Sequence, residues 1–195
     1  MKTIVLATRN ENKITEIKNI AGNLEFNFKC AKDFSGVPEI EEDGETLKDN
    51  AIKKARITAL KTGLWTLADD TGLEVDYLKG APGVFSARYA GEGCSYADNN
   101  AKLLNELKGV AGDLRKAAFK CVIALASPKG VVTTVEGVLF GMITEIQKGT
   151  KGFGYDPIFL VKGINKTMAE LSSEEKNNLS HRAMAIEKII PYLPR

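Results

Sequence analysis

The sequence predicts a mixed α/β fold, and three observations carry that prediction. A short apolar run, Thr3 to Ala7, precedes a polar turn and a helical pattern, the strand–turn–helix order of an α/β nucleotide site. Two β-rich segments, 117–126 and 131–143, are joined by Ser127-Pro128-Lys129-Gly130, a hairpin signal that places an antiparallel pair in the sheet. No internal repeat, low-complexity stretch or linker interrupts the 195 residues, so a single domain over 1–195 is expected.

The elements follow in order. After the first strand, Thr8-Arg9-Asn10-Glu11-Asn12-Lys13 forms the turn, and Ile14, Ile17 and Ile20 mark a helix that stops before Gly22. Phe26 to Cys30 alternates weakly and reads as a second strand. Segment 39–49 carries six acids and one lysine with no apolar period. From Thr46 a helix is expected, with Leu47, Ala51, Ile52, Ala55 and Ala59 on one face and Gly63 at its end. Leu64 to Ala68 reads as a strand ending at Asp69-Asp70-Thr71-Gly72. Residues 79–95 read as a long loop, Tyr96 to Leu107 as a helix closed by Gly109, and 158–161 as a strand after Gly152-Phe-Gly-Tyr-Asp-Pro157. A last helix is expected from about Ser180 to Pro191.

Composition excludes whole classes. A hydrophobic share of 44% against 27% charged residues argues against disorder, and chains of this length bury roughly 70% of their unfolded surface. Lys and Arg number 27 against 25 Asp and Glu, so the net charge of +2 gives no case for nucleic-acid or membrane binding. Three scattered cysteines without C-x-x-C imply free thiols in a reducing compartment, and one histidine cannot complete a zinc site with them. The N-terminal apolar run is too short for a secretory signal and no stretch approaches a membrane span, so a soluble cytoplasmic protein is expected. The absence of any Gly-Lys dipeptide excludes a Walker A loop. Gly149, Gly152 and Gly154 run in the reverse order of the dinucleotide fingerprint, and no G-x-S-x-G exists.

What remains is a set of hard oxygen ligands and cationic donors. Neighbouring side chains in a strand point opposite ways, so one of Asp69 and Asp70 faces a given site unless the chain turns there. With one glutamate of Glu41–Glu42, that aspartate would suit magnesium, which takes one or two carboxylates plus waters and substrate phosphate. A carboxylate beside such a metal would also orient or deprotonate water. The same residues equally read as a capped turn and a solvated acidic loop, because Asp and Gly dominate turns. The turn at 8–13 lies where helix N–H groups and dipole favour phosphate, or is an ordinary capped loop. Asn50 and Lys54, one helical turn apart, share a face and would flank the acidic site. Phe153 between two glycines reads as an exposed aromatic with nothing beside it, suited to stacking on a base, or as a core anchor. Asp156 before Pro157 is held extended, and His181-Arg182 follow Ser180, a good N-cap, with Lys176 just upstream.

Taken as a collinear set, these segments resemble the inosine/xanthosine triphosphate pyrophosphatase family. The pieces are Leu6-Ala-Thr-Arg-Asn10 with Lys13, Glu41-Glu-Asp-Gly44, Asn50-Ala51 with Lys54-Ala55, and Ala68-Asp-Asp-Thr-Gly72. They continue through Gly80-Ala-Pro-Gly83, Ser86-Ala-Arg-Tyr89, Gly152-Phe-Gly-Tyr-Asp-Pro157, Ala169-Glu170-Leu171, Glu175-Lys176 and Ser180-His-Arg182. The resemblance implies a two-lobed α/β fold around a central cleft, a cytoplasmic homodimer, and magnesium. Its reaction is hydrolysis of ITP, dITP or XTP to the monophosphate and pyrophosphate. It makes Asp70 the general base and a metal ligand, with Glu41 the second metal carboxylate. Thr8, Arg9, Asn10, Glu11, Asn12, Lys13, Lys54 and Thr71 would hold phosphates and sugar. Phe153, Gly154, Tyr155, Asp156, Lys176, His181 and Arg182 would line the nucleotide pocket. Many members carry Gly where Arg9 stands and a small residue at Asn12, so a less permissive phosphate loop is expected here. Related architectures that clear pyrimidine or modified nucleotides, and a nucleotide-binding module without turnover, are the alternatives.

Overall fold

The protein is described as a computed structural model in which residues 1–22 and 24–194 are defined. The strands are β1 (Lys2–Leu6), β2 (Phe26–Cys30), β3 (Trp65–Val75), β4 (Pro82–Gly83), β5 (Lys116–Ser127), β6 (Gly130–Ile143) and β7 (Phe159–Val161). The helices are α1 (Glu11–Ile20), α2 (Leu47–Thr62), α3 (Tyr96–Glu106), α4 (Ser173–Leu179) and α5 (His181–Ile189). Hydrogen-bonded neighbours run in the order β2-β1-β3-β5-β6-β7, with β4 paired to β3. The sheet is mixed. β1 lies parallel to β2 and β3, with Ile4 opposite Phe28 and Trp65, whereas β3 with β4 and β6 with β7 are antiparallel. The mixed α/β class expected from the sequence is the class observed.

The chain divides into two compact units. The first comprises Met1–Asp70, Cys121–Gly137 and His181–Arg195, and the second Thr71–Lys120 and Val138–Ser180. In the first, β1 is apolar on both faces because both are covered, and Ile4, Val5 and Leu6 are fully buried. α1 turns Ile14 and Ile17 inward, where they join Leu67, Ile123, Leu125, Ile186 and Ile189 in one cluster. Each such side chain contributes roughly 1.5–3 kcal/mol through burial. Cys30 and Cys121 belong to this cluster as free thiols. α2 is set by a capping box at Thr46 and Asp49 and stops at Gly63, as its sequence requires.

In the second unit, Leu73, Val75, Leu103, Leu107, Ile143, Met168 and Leu171 form the buried set, and the Phe119 and Phe159 rings meet at 4.4 Å. Buried Arg115 donates to the carbonyls of Leu107, Ile143 and Thr144 at 2.7, 2.8 and 2.6 Å. That fork ties the end of α3 to the end of β6 and satisfies carbonyls that a helix terminus leaves open.

Two expectations are corrected. β3 does not end at Asp69-Asp70-Thr71-Gly72 but runs on to Val75, and both aspartates are buried within it. Cationic partners on neighbouring elements let the acids continue the strand instead of turning out to water. α4 was not expected at all, since Ser-Glu-Glu-Lys-Asn-Asn-Leu has no apolar period; its capping box, Ser172 with Glu175, was the available signal. No described helix is long and apolar enough to cross a membrane.

Candidate functional site

The first unit gathers charge around residues 69 and 70 of β3. Asp69 and Asp70 are 2% and 4% exposed, and alternation along the strand sends their side chains to different partners. Asp69 Oδ2 accepts from Lys13 Nζ on α1 at 3.1 Å and from Arg182 Nη2 on α5 at 3.1 Å. Arg182, 1% exposed, also pairs with Glu16, so its guanidinium lies between two carboxylates. Burial alone would push the Asp69 carboxyl up, but Lys13, Arg182 and Lys54 outweigh it and hold it well below the usual carboxylate range.

Asp70 is treated differently. Its Oδ1 accepts from Lys54 Nζ at 3.0 Å and its Oδ2 from Asn50 Nδ2 at 3.2 Å, both donors on α2. Here burial prevails over the attraction of Lys54 and Lys13, Glu42 adds repulsion, and the carboxyl is raised. Lys54 Nζ also reaches Glu42 Oε1 at 2.5 Å and the Asp69 carbonyl at 2.7 Å. Three oxygens therefore surround one cation. Burial works against the Lys54 ammonium, yet Asp70, Glu42 and Asp69 raise it far above the ordinary lysine range.

The turn before α1 is organised by Asn10, whose side chain accepts from the Asn12 and Lys13 backbone N–H groups at 3.0 and 3.3 Å. The Asn10 N–H in turn donates to Thr8 Oγ1 at 3.2 Å. Two backbone donors expected for phosphate are thus held by the cap. Arg9 donates to the Val37 carbonyl at 3.3 Å and Glu11 pairs with Lys32, so both side chains have partners of their own. Asn12 is exposed. Of the 8–13 set, Lys13 carries its side chain to Asp69. Glu41 is exposed and makes no side-chain hydrogen bond or ion pair among the described residues; it is Glu42 that engages Lys54.

The second unit holds its own constellation. Asp156, buried, accepts from the Phe153 N–H at 2.9 Å and from Lys176 Nζ of α4 at 2.8 Å, both at Oδ2. Gly152 makes that closure feasible: its φ is +77°, and a Cβ there would lie 2.0 Å from the same oxygen. Phe153 corrects an expectation, because it does not stand alone. It is half-buried against Tyr96, with centroids 5.9 Å apart, and Lys176 Nζ sits 5.3 Å from its ring centre. The loop's glycines let the ring fold back onto these neighbours. Gly154 accepts at its carbonyl from Asn100 at 3.0 Å, and buried Tyr155 donates to the Ser86 carbonyl at 2.9 Å. Burial pushes the Tyr155 phenol up, so it stays a donor. Thr71, half-buried, opens this unit's part of β3. In the first unit His181, buried, begins α5 directly after Ser180, as expected.

Sequence reasoning missed Glu16, which no motif marks, and the direct Asn50–Asp70 bond, which the shared helix face only suggested. Among the described residues, no three His, Cys, Asp or Glu side chains converge as a ready metal cage.

Fold and clusters together define a class: a mixed α/β protein whose first unit carries a buried carboxylate–ammonium site beside a helix start. The chain belongs to the Ham1 family, whose profile matches residues 4–192. It is 51% identical over 193 residues to the dITP/XTP pyrophosphatase of Geobacter sulfurreducens, covering 99% of this chain and 97% of that protein. It is 50% identical to the dITP/XTP pyrophosphatase of Bacillus licheniformis, covering 97% and 96% of the two chains. A solved HAM1 protein from Coxiella burnetii superposes with a TM-score of 0.89 at 44% identity over 98% of each chain.

Proposed function

We propose that this protein hydrolyses non-standard purine nucleoside triphosphates (ITP, dITP and XTP) to the monophosphate and pyrophosphate. The observation that carries the reading is Lys54, a buried cation among the oxygens of Glu42, Asp69 and Asp70, with Lys13 on the neighbouring carboxylate. Such a cluster suits a substrate that is both polyanionic and metal-bound, and the names of the half-identical relatives support the choice of substrate.

The donor set fits magnesium. Asp70 is a hard carboxylate already set among cation-binding oxygens, and Glu41 is an exposed carboxylate with no side-chain partner among the described residues. With one or two carboxylates, the remaining ligands would be waters and substrate phosphate, the usual arrangement for this ion. Bound by Asp70 and Glu41, Mg2+ would neutralise phosphate charge and polarise the α-phosphoryl group.

Asp70 takes a proton from water as the water oxygen bonds to the α-phosphorus. The bond from that phosphorus to the β-phosphate oxygen breaks, and pyrophosphate leaves. A raised carboxyl is suited to this role because a base works best with its pKa nearer the working pH. Lys54 and Lys13 balance charge on the triphosphate, with Thr8, Asn10 and Thr71 as further polar contacts. In the second unit Phe153 serves the base by stacking, with Lys176, Asp156, Gly154 and Tyr155 holding its loop. Hypoxanthine and xanthine present an O6 acceptor and an N1–H donor where adenine presents the reverse. Donation to O6 from His181 or Arg182 would leave adenine with unpaired buried groups, a mismatch worth several kcal/mol. A homodimer in the cytoplasm belongs to the same reading.

The test is product release from ITP, XTP, dTTP and ATP with and without Mg2+. Metal-dependent pyrophosphate from ITP and XTP is expected. Orthophosphate as the product, or a preference for dTTP, would overturn the reading.

A further inference from the structure

Asp70 is held at both oxygens by one helix, and the second holder has an orientation of its own that can be traced. Asn50, 1% exposed, lies in the first turns of α2, one helical turn before Lys54. Its Oδ1 accepts from the Gly44 backbone N–H at 2.8 Å. A backbone N–H can only donate, so the amide oxygen must face Gly44 and the NH2 group must face Asp70. The direction of the 3.2 Å contact to Asp70 Oδ2 is therefore fixed by chemistry. Gly44 is part of the device: a Cβ at that position would lie 2.6 Å from Asn50 Oδ1, so only glycine lets the loop approach the amide this closely.

We propose that Asn50 is a positioning residue for the reaction: the Gly44 N–H orients its amide, and the amide fixes the plane of the Asp70 carboxylate toward the attacking water. Lys54 fastens Oδ1 and Asn50 fastens Oδ2, so the carboxylate is pinned by two donors on a rigid helix and cannot rotate between them. Lys54 must also answer to Glu42 and, in turnover, to phosphate. Asn50 has no such second duty toward substrate. Loss of orientation at a reacting group is costly because a misplacement of about 1 Å lowers rates on the order of a hundredfold.

This inference rests on Asp70 acting as the base, and its experiment separates the two ideas. Asn50→Asp keeps the shape and the acceptor for Gly44 but turns a donor toward Asp70 into a repelling oxygen. Asn50→Ala removes both bonds. The expected result is a fall in kcat for ITP of about 10–100-fold in Asn50→Ala, with KM little changed, and at least as large a fall in Asn50→Asp. A residue that merely tethers Gly44 to α2 would leave Asn50→Asp at the wild-type kcat, and that result overturns the proposal. A loss carried wholly by KM overturns it as well. Should Asn50→Asp fail to fold, Asn50→Ala decides by the same split. A stability cycle gives a readout independent of turnover: the double variant N50D/D70N, in which donor and acceptor are exchanged, should regain thermal stability lost in Asn50→Asp, and no regain counts against the bond. Asp70→Asn turning over like wild type would defeat the base assignment itself. Asp70→Asn inactive beside a fully active Asn50→Ala would defeat only the role of Asn50.

Discussion

Asp69 and Asp70 are chain neighbours of one residue type, equally buried in one strand, yet their surroundings give them opposite chemistry. Asp69 has Lys13 to itself and shares Arg182 with Glu16, and the two cations keep it charged. Asp70 shares Lys54 with Glu42 and takes its other hydrogen bond from a neutral amide, so burial outweighs Lys54 and the charge of Lys13 and raises it. The lesson is that a buried carboxylate's reactivity follows the number of cations it does not have to share. One aspartate anchors the helices around β3, and the other is left available for a proton.

The largest expected effect tests that division. Asp70→Asn should lower ITP turnover by about 10²–10⁴-fold, the usual contribution of a positioned general base, while nucleotide binding by calorimetry survives. Its stability should stay within about 1 kcal/mol of wild type, because burial already works against the charged Asp70 and Lys54 keeps Glu42 as its counter-charge. Asp69→Asn should do the reverse in denaturant melts, losing about 3–5 kcal/mol by leaving Lys13 against a neutral group and buried Arg182 with Glu16 alone. An unchanged melting curve for Asp69→Asn would break the comparison.

Acid sharpens it. The folded Asp69 carboxyl sits below its unfolded value near 3.9, so its stabilisation is complete above about pH 4–5 and is lost as pH falls toward the depressed value. The acid limb of the stability profile should flatten in Asp69→Asn and not in Asp70→Asn.

A smaller effect separates two more neighbours. Glu41→Gln should raise the Mg2+ concentration needed for half-maximal turnover, whereas Glu42→Gln should leave that requirement within about threefold, because Glu42 is engaged with Lys54, which keeps Asp70 and the Asp69 carbonyl as partners. Equal shifts in both would move the second metal carboxylate to a shared role.

Much of the fold was legible because its signals are local. An apolar run marks β1 and a weak alternation β2, the apolar face from Leu47 to Ala59 with the stop at Gly63 marks α2, and Ser-Pro-Lys-Gly marks the β5–β6 hairpin. The continuation of β3 was not legible, since Asp-Asp-Thr-Gly carries turn chemistry and only distant cations on α1, α2 and α5 make it a strand. Phe153 was misjudged for a related reason: its partners, Tyr96 and Lys176, are 57 and 23 residues away in sequence and leave no trace beside it. The site's residue types were readable, but which carboxylate would be held down and which left raised depends on long-range pairing.

The most direct measurement of the central claim is pyrophosphate release from ITP by Asp69→Asn and Asp70→Asn at a temperature where both are folded. Asp69→Asn should stay within about tenfold of wild type, and Asp70→Asn should fall by at least about a hundredfold. An active Asp70→Asn, or an Asp69→Asn as inactive as Asp70→Asn, would contradict that claim.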